Sequence, residues 1–235
     1  MSDPAATVAE TLALMDAMPR ISAWTVDRLR PWCGRRVLEV GAGIGSLSEL
    51  LVDRELLVAT DVDEQLLARL RQRFAGHANV IVEHLDLAAL PLERLRRHRV
   101  DTVLCVNVLE HVQDDRGALG ALAALLPPGG HLLLAVPALP WLYGSLDRAL
   151  GHHRRYARGA LVRLLEDTGF RAVHLAFANV LGIPGWFLNS RVLRKTLLPR
   201  GQVRLYDQLS WLLRLEDRVR LPVGMSLFAV ATRRA

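Results

Sequence analysis

The sequence predicts an α/β fold in which a parallel sheet is covered by helices on both faces. Three observations carry that prediction. Short strand candidates alternate strictly with helical stretches. The strand candidates are apolar throughout, as strands buried on both faces must be. A glycine-rich turn, "VLEVGAGIGSLSELL" over 37–51, joins the first strand to the first helical run.

The elements are justified in chain order. Residues 5–30 read as an N-terminal helical cap, because Val8, Leu12, Met15, Ile21, Trp24 and Leu29 recur at roughly helical spacing, with Pro19 as a break. After "RPWCG", strands are expected at 36–40, 56–60, 80–84, 102–107, 131–136 and 173–177. Helical runs are expected near 46–53, 63–74, 115–126 and 158–168. "PPGG" at 127–130 breaks the chain before a strand. The tail "IPGWFLNSRVLRKTLLPRGQVRLYDQLSWLLRLEDRVRLP" is mostly helical and studded with arginine, and it precedes a last strand in "MSLFAVATRR". It reads as an insertion, 182–221, between the last two strands.

Composition bounds the rest. The 235 residues suffice for one substantial domain, and a single domain over 1–235 is expected. With 51% apolar and 23% charged residues the profile is that of a soluble globular protein. No apolar run reaches the ~18–20 residues that span a bilayer. Asp3, Glu10 and Asp16 replace the basic start of a secretory leader. Cys33 and Cys105 form no metal or redox spacing, so reduced structural thiols in a cytoplasmic protein are expected, and no metal. The formal net charge is +6, and segment 184–220 holds eight basic residues against three acidic ones. Nearly the whole imbalance therefore belongs to one segment.

The glycine loop narrows the ligand. Gly41, Gly43 and Gly45 remove the Cβ atoms that would block a close approach. A nicotinamide-dinucleotide fingerprint would want small residues at 41, 43 and 46 in G-x-G-x-x-G/A, whereas the third glycine here comes one place early and Ser46 comes after it. A phosphate-binding loop would require Gly-Lys-Ser/Thr, and the loop has no lysine. Glu39, two places before the first glycine, is a poor neighbour for a pyrophosphate and suits an ammonium or sulfonium. About twenty residues on, Asp61 ends the second strand, where its carboxylate can accept two ribose hydroxyls. The competing reading makes Asp61 an N-cap for the next helix. Asp86 in "HLDLAAL" stands where it can accept an adenine amino group.

Together "VLEVGAGIG", "VATDVDEQLL", "EHLDL", "VNVLEHV" and "LLPPGGHLLLAVP" resemble the motifs of class I S-adenosylmethionine (SAM)-dependent methyltransferases, especially the small-molecule group that includes ubiquinone-biosynthesis O-methyltransferases. The resemblance covers roughly 33–137. It implies a Rossmann-like, seven-stranded, mostly parallel sheet whose last strand is antiparallel. It implies SAM as cofactor, with Gly41, Gly43 and Gly45 at the methionine end and Glu39 near it. Asp61 then serves the ribose, Val62 the adenine face, Asp86 and the Leu87 amide the adenine edge, and Asn107 the amino group.

Methyl transfer needs acceptor and methyl held in line, and a hydroxyl acceptor also needs a proton acceptor. His111 in "LEHV" lies just past the fourth strand; it serves as that base, or it caps a helix or lines the SAM pocket. The loop after the fifth strand crowds Tyr143, Asp147, His152, His153, Arg154, Arg155 and Tyr156 together. It is either a solvated charged loop or an acceptor site. Its "GHHRRY" run is similar to one in bacterial methyltransferases of polyprenyl or polysaccharide pathways, which implies an Arg154 or Arg155 clamp on a carboxylate or phosphate, His152 as base, and Tyr156 beside them.

Segment 184–220 interleaves apolar and basic residues. It is a lid, a subunit interface or a peripheral membrane contact over a lipid-linked acceptor. Nucleic acid fits it poorly, because its aromatics lie on apolar faces. The expected function is methyl transfer from SAM to a small or lipid-linked organic acceptor, at oxygen. The expected location is the cytoplasm, with or without membrane association, and homo-oligomers are compatible. The rivals are an NAD-dependent oxidoreductase, a module that binds SAM without turnover, and an RNA methyltransferase.

Overall fold

The computed structural model describes residues 18–217, 219 and 221–235. Seven strands, β1 (Arg36–Val40), β2 (Leu56–Asp61), β3 (Val80–His84), β4 (Thr102–Val106), β5 (His131–Pro137), β6 (Phe170–Ala178) and β7 (Ser226–Arg233), form one sheet in the order β3-β2-β1-β4-β5-β7-β6. The first five run parallel, and β7 is antiparallel to both β5 and β6. The mixed sheet agrees with the expected class. The strand order reverses between β1 and β4, and in such sheets ligands occupy the crevice beyond the carboxyl ends of the strands at that point.

Strand periodicity explains why both faces are covered. Leu38, Val103, Leu132 and Leu134 face one way and pack with Leu119 and Leu122 of α4 (Asp115–Leu125) and Leu161 and Leu165 of α6 (Arg158–Asp167). Their neighbours Val37, Leu104 and Leu133 face the other way and pack with Trp24, Val26 and Leu29 of α1 (Pro19–Leu29). Each fully buried aliphatic side chain adds roughly 1.5–3 kcal/mol of hydrophobic driving force. The remaining helices are α2 (Glu64–Arg73), α3 (Leu92–Arg96), α5 (Ser145–Ala149), α7 (Gly182–Trp186), α8 (Arg200–Gln208) and α9 (Leu213–Glu216).

Three expectations change. The helix expected over 46–53 is a 3-10 turn at Ser48–Leu51. Gly41, Gly43 and Gly45 all adopt positive φ, at 70°, 58° and 90°. No α-helix N-terminus therefore comes after the glycine loop. Pro19 begins α1 instead of breaking it, since a proline in the first turn forfeits no helical hydrogen bond; residues 5–17 of the expected cap lie outside the described residues. Strand β6 starts at Phe170, and a register shift between Ala172 and His174 hides its first residues from a simple period-2 reading.

Candidate active site

The carboxyl edge of β1 holds the first part of the site. Gly41 leaves the strand in the left-handed region, with an added Cβ falling 2.5 Å from Val108 Cγ2. Gly45 does the same, 2.8 Å from the Phe74 ring, so its lack of a side chain serves packing against α2. The Glu39 carboxylate is 2% exposed and accepts a hydrogen bond from Ser48 Oγ at 2.5 Å. Burial first, and the charge of Asp61 next, push its pKa up to about 7 against the opposing Ser48 bond.

At the end of β2, Asp61 accepts the Gly43 N–H at 2.9 Å and the Asp63 N–H at 3.0 Å. The cap of α2 is Asp63, which accepts from Gln65 and Leu66, so Asp61 is not the N-cap. Val62 is 59% exposed beside it. Asp86 is exposed and accepts the Ala88 N–H at 2.8 Å, while the Leu87 side chain is buried. Asn107 comes directly after β4 with φ at 53°, an unusual conformation that asparagine tolerates better than most residues.

A cavity of 110 Å³ lies at the carboxyl ends of β1 and β4. Glu39, Gly41, Gly43, Val106 and Asn107 line its sheet side, and Ile21, Ser22 and Thr25 of α1, with Met18 just before it, close it from the other side. Four of the nine expected cofactor residues thus meet in one space. Gly45, Asp61, Val62, Asp86 and Leu87 are not among its walls. The contribution of α1 was not legible as contact residues; Ser22 and Thr25, three apart in an apolar helix, are the signal that marks it. A larger cavity of 240 Å³ lies by Arg96, Arg99 and Pro127, between α3 and the turn before β5. It contains none of the expected site residues.

The second part of the site lies past the ends of β4 and β5. Glu110 and His111 lie in a 3-10 turn at Leu109–His111. The His111 and His152 rings meet edge to face with centroids 4.7 Å apart. Behind them Glu110 is fully buried, and neither carboxylate oxygen has a hydrogen-bond partner among the described residues. Its Oε1 lies 3.9 Å from His152 Nε2. Burial raises the Glu110 pKa to about 8. Burial, then the charges of His152 and His153, lowers His111 to about 4. One donor atom each from Glu110, His111 and His152 lie within 4.8 Å of one another, a spacing compatible with a shared divalent ion. The sequence spacing alone, which pointed to no metal, does not reveal this set.

Asp147 organises this half. Its carboxylate is bonded by His152 Nδ1 at 3.1 Å, Arg155 Nε at 2.6 Å, the Gly144 N–H at 2.9 Å and Trp186 Nε1 at 3.2 Å. Burial alone would raise its pKa, but His152 and Arg155 outweigh burial and the net direction is down. Arg155 and Tyr156, both expected at the acceptor, have internal partners. Arg155 is 6% exposed and also donates to the Ala138 carbonyl at 3.0 Å. Tyr156 donates its hydroxyl toward Asp115 at 2.9 Å, and burial pushes its pKa up. Arg154 pairs with Asp115 at 2.7 Å. A buried charge must be paired, and here Asp147 takes the cation that a loop reading would leave free for a ligand.

A glycine loop at the strand-order reversal, with a buried acid on the strand before it, lies at the carboxyl edge of a Rossmann-like sheet. The chain belongs to the methyltransferase-domain family, whose model matches residues 11–175. Over 148 residues it is 33% identical to a protein of Mycolicibacterium smegmatis named as a probable S-adenosylmethionine-dependent methyltransferase, covering 61% of this chain and 55% of that one. Over 146 residues it is 30% identical to the ubiquinone biosynthesis O-methyltransferase of Ralstonia nicotianae, covering 57% and 61%. The matches thus span somewhat over half the length of these two relatives. An S-adenosylmethionine-dependent methyltransferase from Mesorhizobium loti shares the fold at a TM-score of 0.59, with 19% identity over 88% of this chain and 96% of that one.

Proposed function

We propose that this chain transfers a methyl group from SAM to an oxygen of a small organic acceptor. The observation that carries the reading is the cavity at the β1–β4 crevice, where a buried carboxylate stands beside glycines that leave the backbone bare. A pyrophosphate would meet Glu39 as a like charge, whereas SAM brings an ammonium and a sulfonium. Gly41 and Gly43 cradle the methionine end, shaped by the turn at Gly45. Glu39 and Asn107 serve the amino group, Asp61 accepts the ribose hydroxyls, Val62 covers the adenine, and Asp86 with the Leu87 amide meets its edge.

SAM supplies an electrophilic methyl carbon, and the chain supplies alignment and a proton acceptor. With SAM and a hydroxyl acceptor bound, His111 or His152 would accept the hydroxyl proton. Asp147 holds His152 by Nδ1, which turns Nε2 to the Glu110 side. Arg155 and Tyr156 keep that loop in place and do not touch the acceptor.

Equilibrium binding tests the reading. Tight binding of S-adenosylhomocysteine with none of NAD is expected; binding of NAD alone would overturn it. Asp61→Ala should weaken S-adenosylhomocysteine about tenfold or more, as expected for a hydrogen-bonded charged group. Unchanged affinity would remove Asp61 from the ribose role.

A further inference from the structure

The stretch Phe187–Val192 continues α7 as a π-helix, closed by a Leu193 N–H bond to the Leu188 carbonyl at 2.8 Å. Phe187, Leu188, Val192 and, just past its end, Leu193 are the apolar residues of this stretch. All four point outward, with 43%, 45%, 55% and 51% of their surface exposed. Trp141, 54% exposed, extends the patch, its ring 6.2 Å from Phe187. The inward face is polar instead. Asn189 and Ser190 are 1% and 2% exposed, and Ser190 takes hydrogen bonds from Ser145 and from the Leu146 N–H. The segment is inside-out for a surface in water, and apolar patches of this kind mark an interaction site.

Charge identifies the occupant. Arg191, Arg194 and Lys195 border the patch, and the sequence has no acidic residue between Asp167 and Asp207. A second copy bound symmetrically would set these cations against themselves. An anionic lipid surface satisfies both the apolar face and its basic rim. Among the described residues no helix is long and apolar enough to cross a membrane, so the contact is peripheral.

We propose that Phe187–Leu193 with Trp141 is a membrane-docking face for anionic lipid, and that the acceptor is a membrane-borne amphiphile. The second half rests on the methyl-transfer reading. It comes from the junction behind the patch: Trp186, one residue before the π-helix, bonds Asp147, which holds His152. The face is thus tied, through Trp186 and Asp147, to one of the two histidines.

Sedimentation with vesicles of phosphatidylcholine, alone or mixed with phosphatidylglycerol, tests the face. The wild-type chain should bind only the anionic vesicles, and salt should weaken that binding. Arg194→Glu with Lys195→Glu, and separately Leu188→Ser with Val192→Ser, should each reduce it about tenfold or more. Both variants should keep wild-type affinity for S-adenosylhomocysteine, which also reports that they fold. Wild-type protein that stays in the supernatant with anionic vesicles would overturn the proposal. So would a solution dimer dispersed by the Leu188→Ser, Val192→Ser pair, which would make the face a self-interface. Failure to bind S-adenosylhomocysteine at all would refute the methyl-transfer reading while leaving the vesicle result to stand on its own.

Discussion

Replacing Glu39 by Gln should make the protein more stable above pH 7 and less able to hold a cationic ligand. The folded state raises this carboxyl from 4.5 to about 7, chiefly because it is buried, with Ser48 as its side-chain hydrogen-bond donor. Between those two values the folded chain keeps a proton that the unfolded chain has released. Stability contributed by the neutral form is therefore fully present below pH 4.5 and is lost as pH rises to about 7. One proton held across one pH unit is worth about 1.4 kcal/mol, so the loss reaches roughly 3 kcal/mol. Glutamine keeps the shape and cannot ionise. Its advantage over the wild type should be near zero at pH 3 and ~3 kcal/mol at pH 9, roughly 6–12 °C in Tm for a chain of this size. Glu110, also raised by burial, gives both proteins a further slope of the same sign. The difference between them isolates Glu39.

Urea denaturation of both proteins across this range measures the gap. Equal stability at pH 9 would refute the reasoning, because the buried carboxylate would then cost nothing. On the proposed reading the same charge meets the cation of SAM. SAM should bind more tightly to the wild type as pH rises through about 7, and its affinity for Glu39→Gln should be weaker and flat across that range. A wild-type affinity that ignores pH would separate Glu39 from the ligand's cation.

Gly41→Ala places a Cβ at φ +70° and 2.5 Å from Val108 Cγ2, so denaturation should show a loss of ~1–3 kcal/mol and S-adenosylhomocysteine should bind weakly; Val108→Ala added to it should relieve only the steric share. His111 should titrate near pH 4 by NMR, and His152→Ala should raise that value, since His152 is the largest of the charges that oppose it; an unchanged titration would mean that the two rings are not in contact in solution.

Strands were legible because each carries a short apolar stretch between helical runs, and β1 and β3 have the bounds expected of them, although Glu39 interrupts the first and β3 ends in Glu83 and His84. The short helices α3 and α5 were not, since five residues cannot display a helical period. Part of the lining of the β1–β4 cavity was legible on other grounds. Gly41, Gly43 and Asn107 mark backbone that must take positive φ, and Glu39 sits inside a run where only a partnered or functional carboxylate is tolerated. Glu110 carries the same signal in "NVLEHV", a lone acid between Leu109 and Val112 of the core, yet a search for a proton acceptor selects its neighbour His111.

The acceptor half is harder because loop side chains declare their charge but not their direction. Arg155 reads as a clamp for an anion, whereas Asp147, eight residues before it, takes its guanidinium. No periodicity links those two positions; only the fold brings them together. That one carboxylate accepts from Gly144, His152, Arg155 and Trp186, donors drawn from both the post-β5 loop and the insertion. Holding His152 and the root of the exposed π-helix on the same group gives the insertion a direct mechanical link to the candidate base. A segment that only shielded the core would have no reason to commit an indole N–H to the residue that orients a histidine.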